Sequence, residues 1–245
     1  VPKKVIYDAW ENQNRPIPVL DGKVTDLCVA ASDIGESVYH SAFHYYGNII
    51  KVGMPRNDKL VKANDRDKNV VKSRLNLSKD DKLLLFAPTF RDNKCGVQNV
   101  DVDLSSIINI LSVNGNKWKC LIRAHSASAG LNFEENDNII NVSDYPDMAD
   151  LLMISDMLIT DYSSCAGDFI LRYKPVILAM FDYEEYMMEC RKFNFVPKDV
   201  GFIVAMNQFE LEKILTEYNE KDYIKNCETI IKNFNIVETG NSAEK

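Results

Sequence analysis

Residues suited to binding an anion follow three apolar segments of the sequence, at 82–87, 118–123 and 157–160. Each segment has the composition of a buried β-strand. Parallel strands bind ligands at their carboxyl ends, so we expect these residues to meet at one edge of one sheet. Hydroxyls, guanidinium groups, an imidazole and backbone N–H groups are the chemistry that holds a phosphate or diphosphate. The residues concerned are Pro88, Thr89, Arg91, Arg123, Ala124, His125, Asp161, Ser163 and Ser164.

The segment Asp161–Ser164 carries the sharpest of these signals. It predicts that Asp161 caps a helix over Ser163–Leu171, whose unpaired N–H groups and dipole favour an anion. A plain N-cap with no ligand would have the same composition, and both interpretations stay open. Asp168, one turn further on, either faces the same cleft and accepts ligand hydroxyls or is a solvated charge.

His125 follows a predicted strand and neighbours Arg123. Its imidazole could transfer a proton near neutral pH or donate to a phosphate as imidazolium, and the alternative is a hydrogen-bonded structural histidine. His40 and His44 are spaced i, i+4 on one predicted helix, but no third ligand is evident. We interpret them as helix-surface residues and predict no tightly held metal.

The turn at 53–58 contains Gly53, Pro55 and Arg56. Its composition is typical of a connector that caps the next helix, whereas a functional interpretation places Arg56 on a phosphate. The residues alone do not separate these alternatives.

The elements that must position these residues alternate between strand and helix. This pattern predicts right-handed βαβ units and a parallel sheet covered on both faces, an α/β fold. Strands are predicted at Val24–Ala31, Asn48–Val52, Lys82–Ala87, Trp118–Arg123, Ile139–Val142, Met157–Thr160, Pro175–Met180 and Phe202–Ala205. Helices are predicted at Ile34–Tyr45, Asp67–Leu75, Asp103–Val113, Pro146–Ser155, Ser163–Leu171, Gln208–Tyr218 and Lys221–Phe234. The highly charged segment Lys59–Lys82 has no obvious deep core, and we interpret it as a linker region.

Composition is that of an ordinary globular protein. The 245 residues are 46% hydrophobic and 27% charged, which excludes a disordered chain. The net charge of −7 argues against a protein that wraps nucleic acid. No apolar run approaches the roughly 20 residues needed to cross a bilayer. The six cysteines are scattered without a C-x-x-C pair, as expected of reduced thiols in a cytosolic protein.

Four segments together resemble the CDP-glycerol glycerophosphotransferases, the teichoic-acid primases and polymerases and their capsule-polymer relatives. The resemblance runs from about Asp26 to the end of the chain, and four motifs in the same order are specific. The segments are Gly53–Leu60, Phe86–Arg91, Arg123–His125 and Ser155–Ser164 with Asp168.

This resemblance implies a GT-B type fold, here a Rossmann-like parallel-sheet lobe plus part of a second Rossmann-like lobe. It implies that an acceptor hydroxyl attacks the β-phosphorus of CDP-glycerol, or of a related CDP-alditol, and that CMP leaves. His125 would polarise the diphosphate or protonate the leaving phosphate. The family's ligand contacts would fall on Arg56, Pro88, Thr89, Arg123, Ala124, His125, Ser163, Ser164 and Asp168.

One segment departs from the family pattern. The family usually carries a Trp-His-Gly element whose His is taken as the base, and the similar segment Tyr7–Asn12 has Glu11 at that place. Either the alignment fails there, or another base acts, with Glu11 a weak candidate, or the donor or acceptor differs. A GT-B glycosyltransferase that uses a nucleotide-sugar and a non-catalytic lobe that binds nucleotide or polymer are the alternatives.

The resemblance also predicts the domain organisation. Residues 1–55 would be the C-terminal part of the acceptor-side lobe, 56–80 a linker, 81–235 the donor-binding lobe and 236–245 the start of a final helix. The chain would then be truncated at both ends. The expected partners are a CDP-linked donor and a polymer or lipid-linked acceptor, without nucleic acid and without a cofactor. The expected location is cytoplasmic, with peripheral contact at the inner face of the bacterial cell membrane.

Overall fold

A six-stranded parallel sheet dominates the structure, a computed structural model that describes residues 3–4, 23–89, 102–113, 115–124, 135–189, 192–193 and 195–245. The described strands are β1 (Lys3–Lys4), β2 (Leu27–Ala30), β3 (Asn48–Lys51), β4 (Lys82–Ala87), β5 (Trp118–Ile122), β6 (Ile139–Asn141), β7 (Met157–Thr160), β8 (Val176–Ala179), β9 (Lys192–Phe193) and β10 (Ile203–Ala205). The described α-helices are α1 (Asp33–Ala42), α2 (Asp58–Val61), α3 (Asp65–Arg74), α4 (Leu104–Ser112), α5 (Met148–Ile154), α6 (Cys165–Phe169), α7 (Tyr183–Glu189), α8 (Gln208–Thr216) and α9 (Glu220–Asn233).

The strand order of this sheet is β6-β5-β4-β7-β8-β10, and every neighbouring pair is parallel. Numbered along the chain, this is the order 3-2-1-4-5-6 of the Rossmann fold. The chain leaves β4 in one direction and later returns to pair β7 with the other side of β4. The order in which strands are added therefore reverses between β4 and β7, and a crevice forms at such a switch point.

Both faces of the sheet are covered, as the continuous apolar strands predict. Leu83, Leu84 and Leu85 are all fully buried, and they alternate between two core clusters on opposite faces of the sheet. Alternation occurs because successive side chains in a strand point to opposite faces. The predicted α/β class is confirmed.

The segment predicted to lack a deep core does have one. Leu60 of α2, Val71 of α3 and Leu77 after α3 are buried in the same cluster as Leu83. The prediction was wrong because these few apolar positions pack against the sheet. The charged residues of α2 and α3 are at least partly exposed, except Lys72, whose buried ammonium donates to the Lys79 and Asp81 carbonyls.

A second, two-stranded sheet pairs β2 with β3 in parallel, connected by α1. Ser32 caps α1, because its hydroxyl accepts a hydrogen bond from the Gly35 N–H at 3.1 Å. The helix ends at Ala42, and His44 has a left-handed backbone with φ of 48°. His40 and His44 therefore do not share a helix, contrary to the prediction.

Two other helix starts also differ from the prediction. Pro146 precedes α5 and is not in its first turn, because the Asp147 carboxylate accepts the Ala149 N–H and caps the helix there. The helix predicted over Ser163–Leu171 is α6, only five residues long, continued by a 3-10 turn at Ile170–Arg172.

Candidate functional site

Three strand ends meet at one edge of the sheet, as the sequence predicts. The turn after β7 lies beside the end of β4, where the Thr160 hydroxyl donates to the Ala87 carbonyl at 2.6 Å. On the other side of β4, the Arg123 N–H donates to the Phe86 carbonyl at 2.9 Å. The candidate residues after β4, β5 and β7 thus flank the point at which the strand order reverses.

Pro88 and Thr89 are partly exposed at the end of β4. After β5, Arg123 is partly exposed and Ala124 is buried. The Ala124 N–H donates to the Ser143 hydroxyl at 3.0 Å, which fixes the path of the chain as it leaves β5.

Asp161 does not cap a helix. Its buried Oδ1 accepts the Thr89 N–H at 2.8 Å and the Tyr162 N–H at 2.5 Å. The carboxylate thus joins backbone N–H groups that follow two neighbouring strands, β4 and β7. The ligand contact predicted for Asp161 stays a prediction.

Ser163 and Ser164 lead into α6 and remain accessible. Ser164 is the N-cap and is exposed, without a side-chain cap bond, while the partly buried Ser163 accepts the Cys165 N–H at 3.4 Å. Both side chains therefore lie just after the end of β7, and that of Ser164 is exposed.

Tyr162 anchors the turn after β7 in the core. Its ring is fully buried and stacks on Tyr186 of α7, with centroids 3.6 Å apart and an interplanar angle of 2°. Its hydroxyl donates to Asp182 Oδ1 at 2.7 Å. An anchored turn presents its neighbours in a fixed geometry, the requirement for a preorganised site.

Arg56 and Asp168 form a two-pronged ion pair. Arg56 Nε and Nη2 donate to the two Asp168 carboxylate oxygens, each at 3.1 Å. Asp168 is therefore not a solvated charge; its side chain is 16% exposed, whereas that of Arg56 is 55% exposed. Burial lowers the pKa of the Arg56 guanidinium, but the hydrogen bonds and charge of Asp168 outweigh it, and the pKa lies above its usual range.

Two residues that the sequence analysis did not single out complete this pair. The buried Asn57 donates from Nδ2 to Asp168 Oδ1 at 3.0 Å and to Glu238 Oε1 at 2.9 Å. Asn57 adjoins Arg56 in the Gly53–Leu60 motif, which was a usable signal. Glu238 lies 181 residues further along the chain and had no local signal.

Lys59, also in the Gly53–Leu60 motif, is an anchor between elements. Its ammonium pairs with Asp147 at 2.8 Å and with Asp150, both at the start of α5. The Tyr145 hydroxyl donates to Asp150 Oδ2 at 2.9 Å. Burial and this carboxylate raise the pKa of Tyr145.

Three predicted site residues, Glu11, Arg91 and His125, lie outside the described residues and stay predictions. Within the described ranges, no group of three or more His, Cys, Asp or Glu side chains is arranged to hold a metal ion. Over the same ranges, no helix combines the length and the hydropathy that a membrane span requires.

The sequence matches the model of the family described as CDP-glycerol:poly(glycerophosphate) glycerophosphotransferase over residues 8–245. The chain belongs to this family. It is 32% identical over 231 residues to a teichoic acid glycerol-phosphate transferase of Staphylococcus aureus, covering 90% of this chain and 59% of that protein. It is 31% identical over 230 residues to a teichoic acid poly(glycerol phosphate) polymerase of Bacillus spizizenii, covering 90% of this chain and 57% of the relative. The chain thus spans less than two thirds of the length of these glycerophosphotransferases.

Comparison with solved structures agrees with this family assignment. The wall teichoic acid polymerase TagF superposes on this chain with a TM-score of 0.80 and 26% identity, covering 100% of this chain and 60% of TagF. A TagF variant soaked with CDPG matches with a TM-score of 0.80 and 27% identity, over 93% of this chain and 58% of TagF. A UDP-GlcNAc 2-epimerase from Neisseria meningitidis shares the fold alone, at 13% identity and a TM-score of 0.56 over 98% of this chain and 65% of the epimerase. The predicted GT-B type fold with its Rossmann-like lobe is confirmed.

Proposed function

We propose that this protein transfers glycerol phosphate, or a related alditol phosphate, from a CDP-linked donor to a hydroxyl of a wall or capsule polymer. The observation that carries the proposal is the family match over residues 8–245, which includes the ends of β4, β5 and β7 where the candidate residues gather. We propose further that the lobe 81–235 binds the donor, that 1–55 belongs to the acceptor side and that 56–80 joins them. We propose no resident cofactor, and the donor itself carries the leaving group, CMP.

In this reaction an acceptor oxygen forms a bond to the β-phosphorus of the donor, and the bond from that phosphorus to the bridging oxygen breaks. The acceptor proton passes to a base, and the electron pair of the broken bond leaves with CMP. Charge grows on the transferred and leaving phosphates, so hydrogen-bond donors preorganised around these phosphates lower the barrier. Ser163, Ser164 and Arg56 are the accessible groups suited to this stabilisation.

The proposal assigns His125 to polarise the diphosphate or protonate the leaving phosphate, as an imidazolium can near neutral pH. Glu11 is the candidate base, since a carboxylate can accept the acceptor proton when its pKa is tuned.

Donor class can be measured by thermal shift with CDP-glycerol, CDP-ribitol, CDP and UDP-GlcNAc. A ligand at one hundred times its Kd stabilises the folded state by about 2.7 kcal/mol, which in a domain of this size is a Tm rise of about 5–10 °C. We expect that rise with the CDP compounds and a smaller one in Ser164→Ala. Ser73→Ala removes an exposed serine of α3, outside the crevice, and should respond like the wild type. A larger shift with UDP-GlcNAc than with CDP-glycerol would indicate a nucleotide-sugar enzyme.

Turnover separates an enzyme from a binding lobe. CMP release from CDP-glycerol in the presence of a poly(glycerol phosphate) acceptor should be lost in His125→Ala. His44→Asn is a matched control, because His44 is exposed and asparagine tolerates its left-handed backbone. Donor binding without CMP release in the wild type would show a non-catalytic lobe, and full activity of His125→Ala would refute the assigned role.

The finer parts of the proposal concern the acceptor and the membrane. A lipid-linked acceptor would bring the protein to the inner face of the cell membrane as a peripheral protein. Co-sedimentation with phosphatidylglycerol vesicles that carry a short glycerol-phosphate acceptor lipid should exceed co-sedimentation with vesicles lacking it. Equal pelleting with both vesicles would refute acceptor-dependent recruitment.

A further inference from the structure

The segment that follows α9 crosses back over the first part of the chain, and we call residues 234–244 the C-terminal strap. The Val237 N–H donates to the Ala31 carbonyl at 2.8 Å, and the Ser242 hydroxyl donates to the Val52 carbonyl at 3.0 Å. Both backbone N–H groups of Ser242 and Ala243 donate to the Asp58 carboxylate, at 2.8 and 2.9 Å. The strap is therefore tied to the β2–β3 unit and to the loop 53–58.

Glu238 connects this strap to the candidate site. The Met54 N–H lies 3.1 and 3.2 Å from the two Glu238 carboxylate oxygens, and Asn57 Nδ2 lies 2.9 Å from Oε1. The same Asn57 amide donates to Asp168, so a single nitrogen joins the two carboxylates. Asn57 cannot reorient without breaking a bond to one of them.

The backbone at Gly53 shows how closely the loop and Glu238 approach each other. Gly53 has a left-handed φ of 98°, and a Cβ built there would lie 2.5 Å from Glu238 Oε2 and 2.5 Å from Ser242 Oγ. The loop packs against the carboxylate directly, so the position of Glu238 sets the position of the loop that carries Arg56.

From these contacts we propose that Glu238 is a positioning residue for donor binding. It fixes the loop 53–58 through the Met54 N–H and the Asn57 amide, and so holds Arg56 and Asp168 where they meet the donor. The inference rests on the proposed function, because it assumes that the Arg56–Asp168 pair contacts a CDP-linked donor.

The test compares Glu238→Gln with Glu244→Gln in steady-state kinetics with CDP-glycerol. Glu244 is the matched control, since it lies on the same strap and its exposed carboxylate pairs with Lys62, at 3.3 Å. We expect Glu238→Gln to raise KM for CDP-glycerol about tenfold with kcat within about twofold, which is about 1.4 kcal/mol of donor binding. Glu244→Gln should leave both constants unchanged.

A pH profile supplies a readout that a purely structural role would not move. Burial raises the pKa of Glu238, and the charge of Asp168 raises it further, while Asn57, the Met54 N–H and Arg56 lower it. The charged groups that face it are thus Asp168 from α6 and Arg56 from the loop. On acidification Glu238 takes up a proton and weakens its hold on the loop, so the wild-type KM should rise more steeply than that of Glu238→Gln.

Glu238→Asp keeps the charge with one methylene less and guards against loss of folding in the glutamine variant. Its KM should lie between those of the wild type and Glu238→Gln. A KM of Glu238→Gln within twofold of the wild type, or parallel pH profiles, would overturn the positioning role while leaving the proposed function intact. Absence of CDP-glycerol binding in the wild type would overturn both.

Discussion

Replacement of Asp161 by alanine tests how the crevice is held together. One carboxylate oxygen of Asp161 accepts backbone N–H groups from Thr89, after β4, and from Tyr162, after β7. Alanine removes both bonds and leaves two donors at the sheet edge without that acceptor. The connection between the two strand ends should therefore loosen.

The magnitude follows from the two bonds. Each hydrogen bond to a charged group contributes about 1.5–3 kcal/mol, and because these two share one oxygen we take the lower value for each, about 3 kcal/mol together. In a domain of about 150–250 residues, 1 kcal/mol shifts Tm by about 2–4 °C. Asp161→Ala should thus lower Tm by about 6–12 °C.

The measurement is thermal unfolding followed by circular dichroism. Asp161→Asn retains an acceptor oxygen without the charge and should lose less than half as much as alanine. Asp80→Ala removes an exposed carboxylate from the turn before β4 and should shift Tm by less than about 2 °C. A loss below about 2 °C in Asp161→Ala would refute the conclusion that this carboxylate holds β4 and β7 together.

Three further predictions concern other parts of the molecule. Arg56→Lys loses the two-pronged pair with Asp168. Because Arg56 is half exposed, we expect a stability loss below about 1 kcal/mol, but about tenfold weaker CDP-glycerol binding by calorimetry. Unchanged CDP-glycerol binding would contradict this prediction. Gly53→Ala places a methyl group against Glu238 in a left-handed backbone, so urea unfolding should show a loss of at least about 1–2 kcal/mol, and a neutral effect would contradict this geometry. Burial raises the pKa of Tyr218 to about 12, so the folded state keeps a proton that the unfolded state loses above pH of about 10. The free energy of unfolding should therefore fall as the pH rises from about 10 to about 12. Tyr218→Phe should show a smaller fall in the urea midpoint over this pH range than the wild type.

Sequence reasoning was most accurate for the central strands. Lys82–Ala87 and Met157–Thr160 have the predicted bounds. A strand buried on both faces must be a continuous apolar run, and that property can be read locally. Their neighbours in the sheet could not be read locally, since β7 pairs with β4 although β5 and β6 lie between them along the chain.

Helix ends were less predictable because the same polar residues have several possible partners. Asp161 was expected to cap a helix, but its carboxylate accepts the N–H groups of Thr89, 72 residues away, and of the adjacent Tyr162. α7, at Tyr183–Glu189, was missed, since its short segment is stabilised by packing of Tyr186 on Tyr162 rather than by a periodic pattern.

The sequence by itself determined the α/β class, the edge of the sheet at which the candidate residues gather and the family to which the chain belongs. These depend on the order of apolar runs and motifs along the chain. Only the tertiary structure decided how the charged groups pair. Arg56 meets Asp168 from 112 residues away and Asn57 meets Glu238 from 181 residues away. Such pairs form where the folded backbone brings donors and acceptors within hydrogen-bond distance, and this proximity has no counterpart in local sequence.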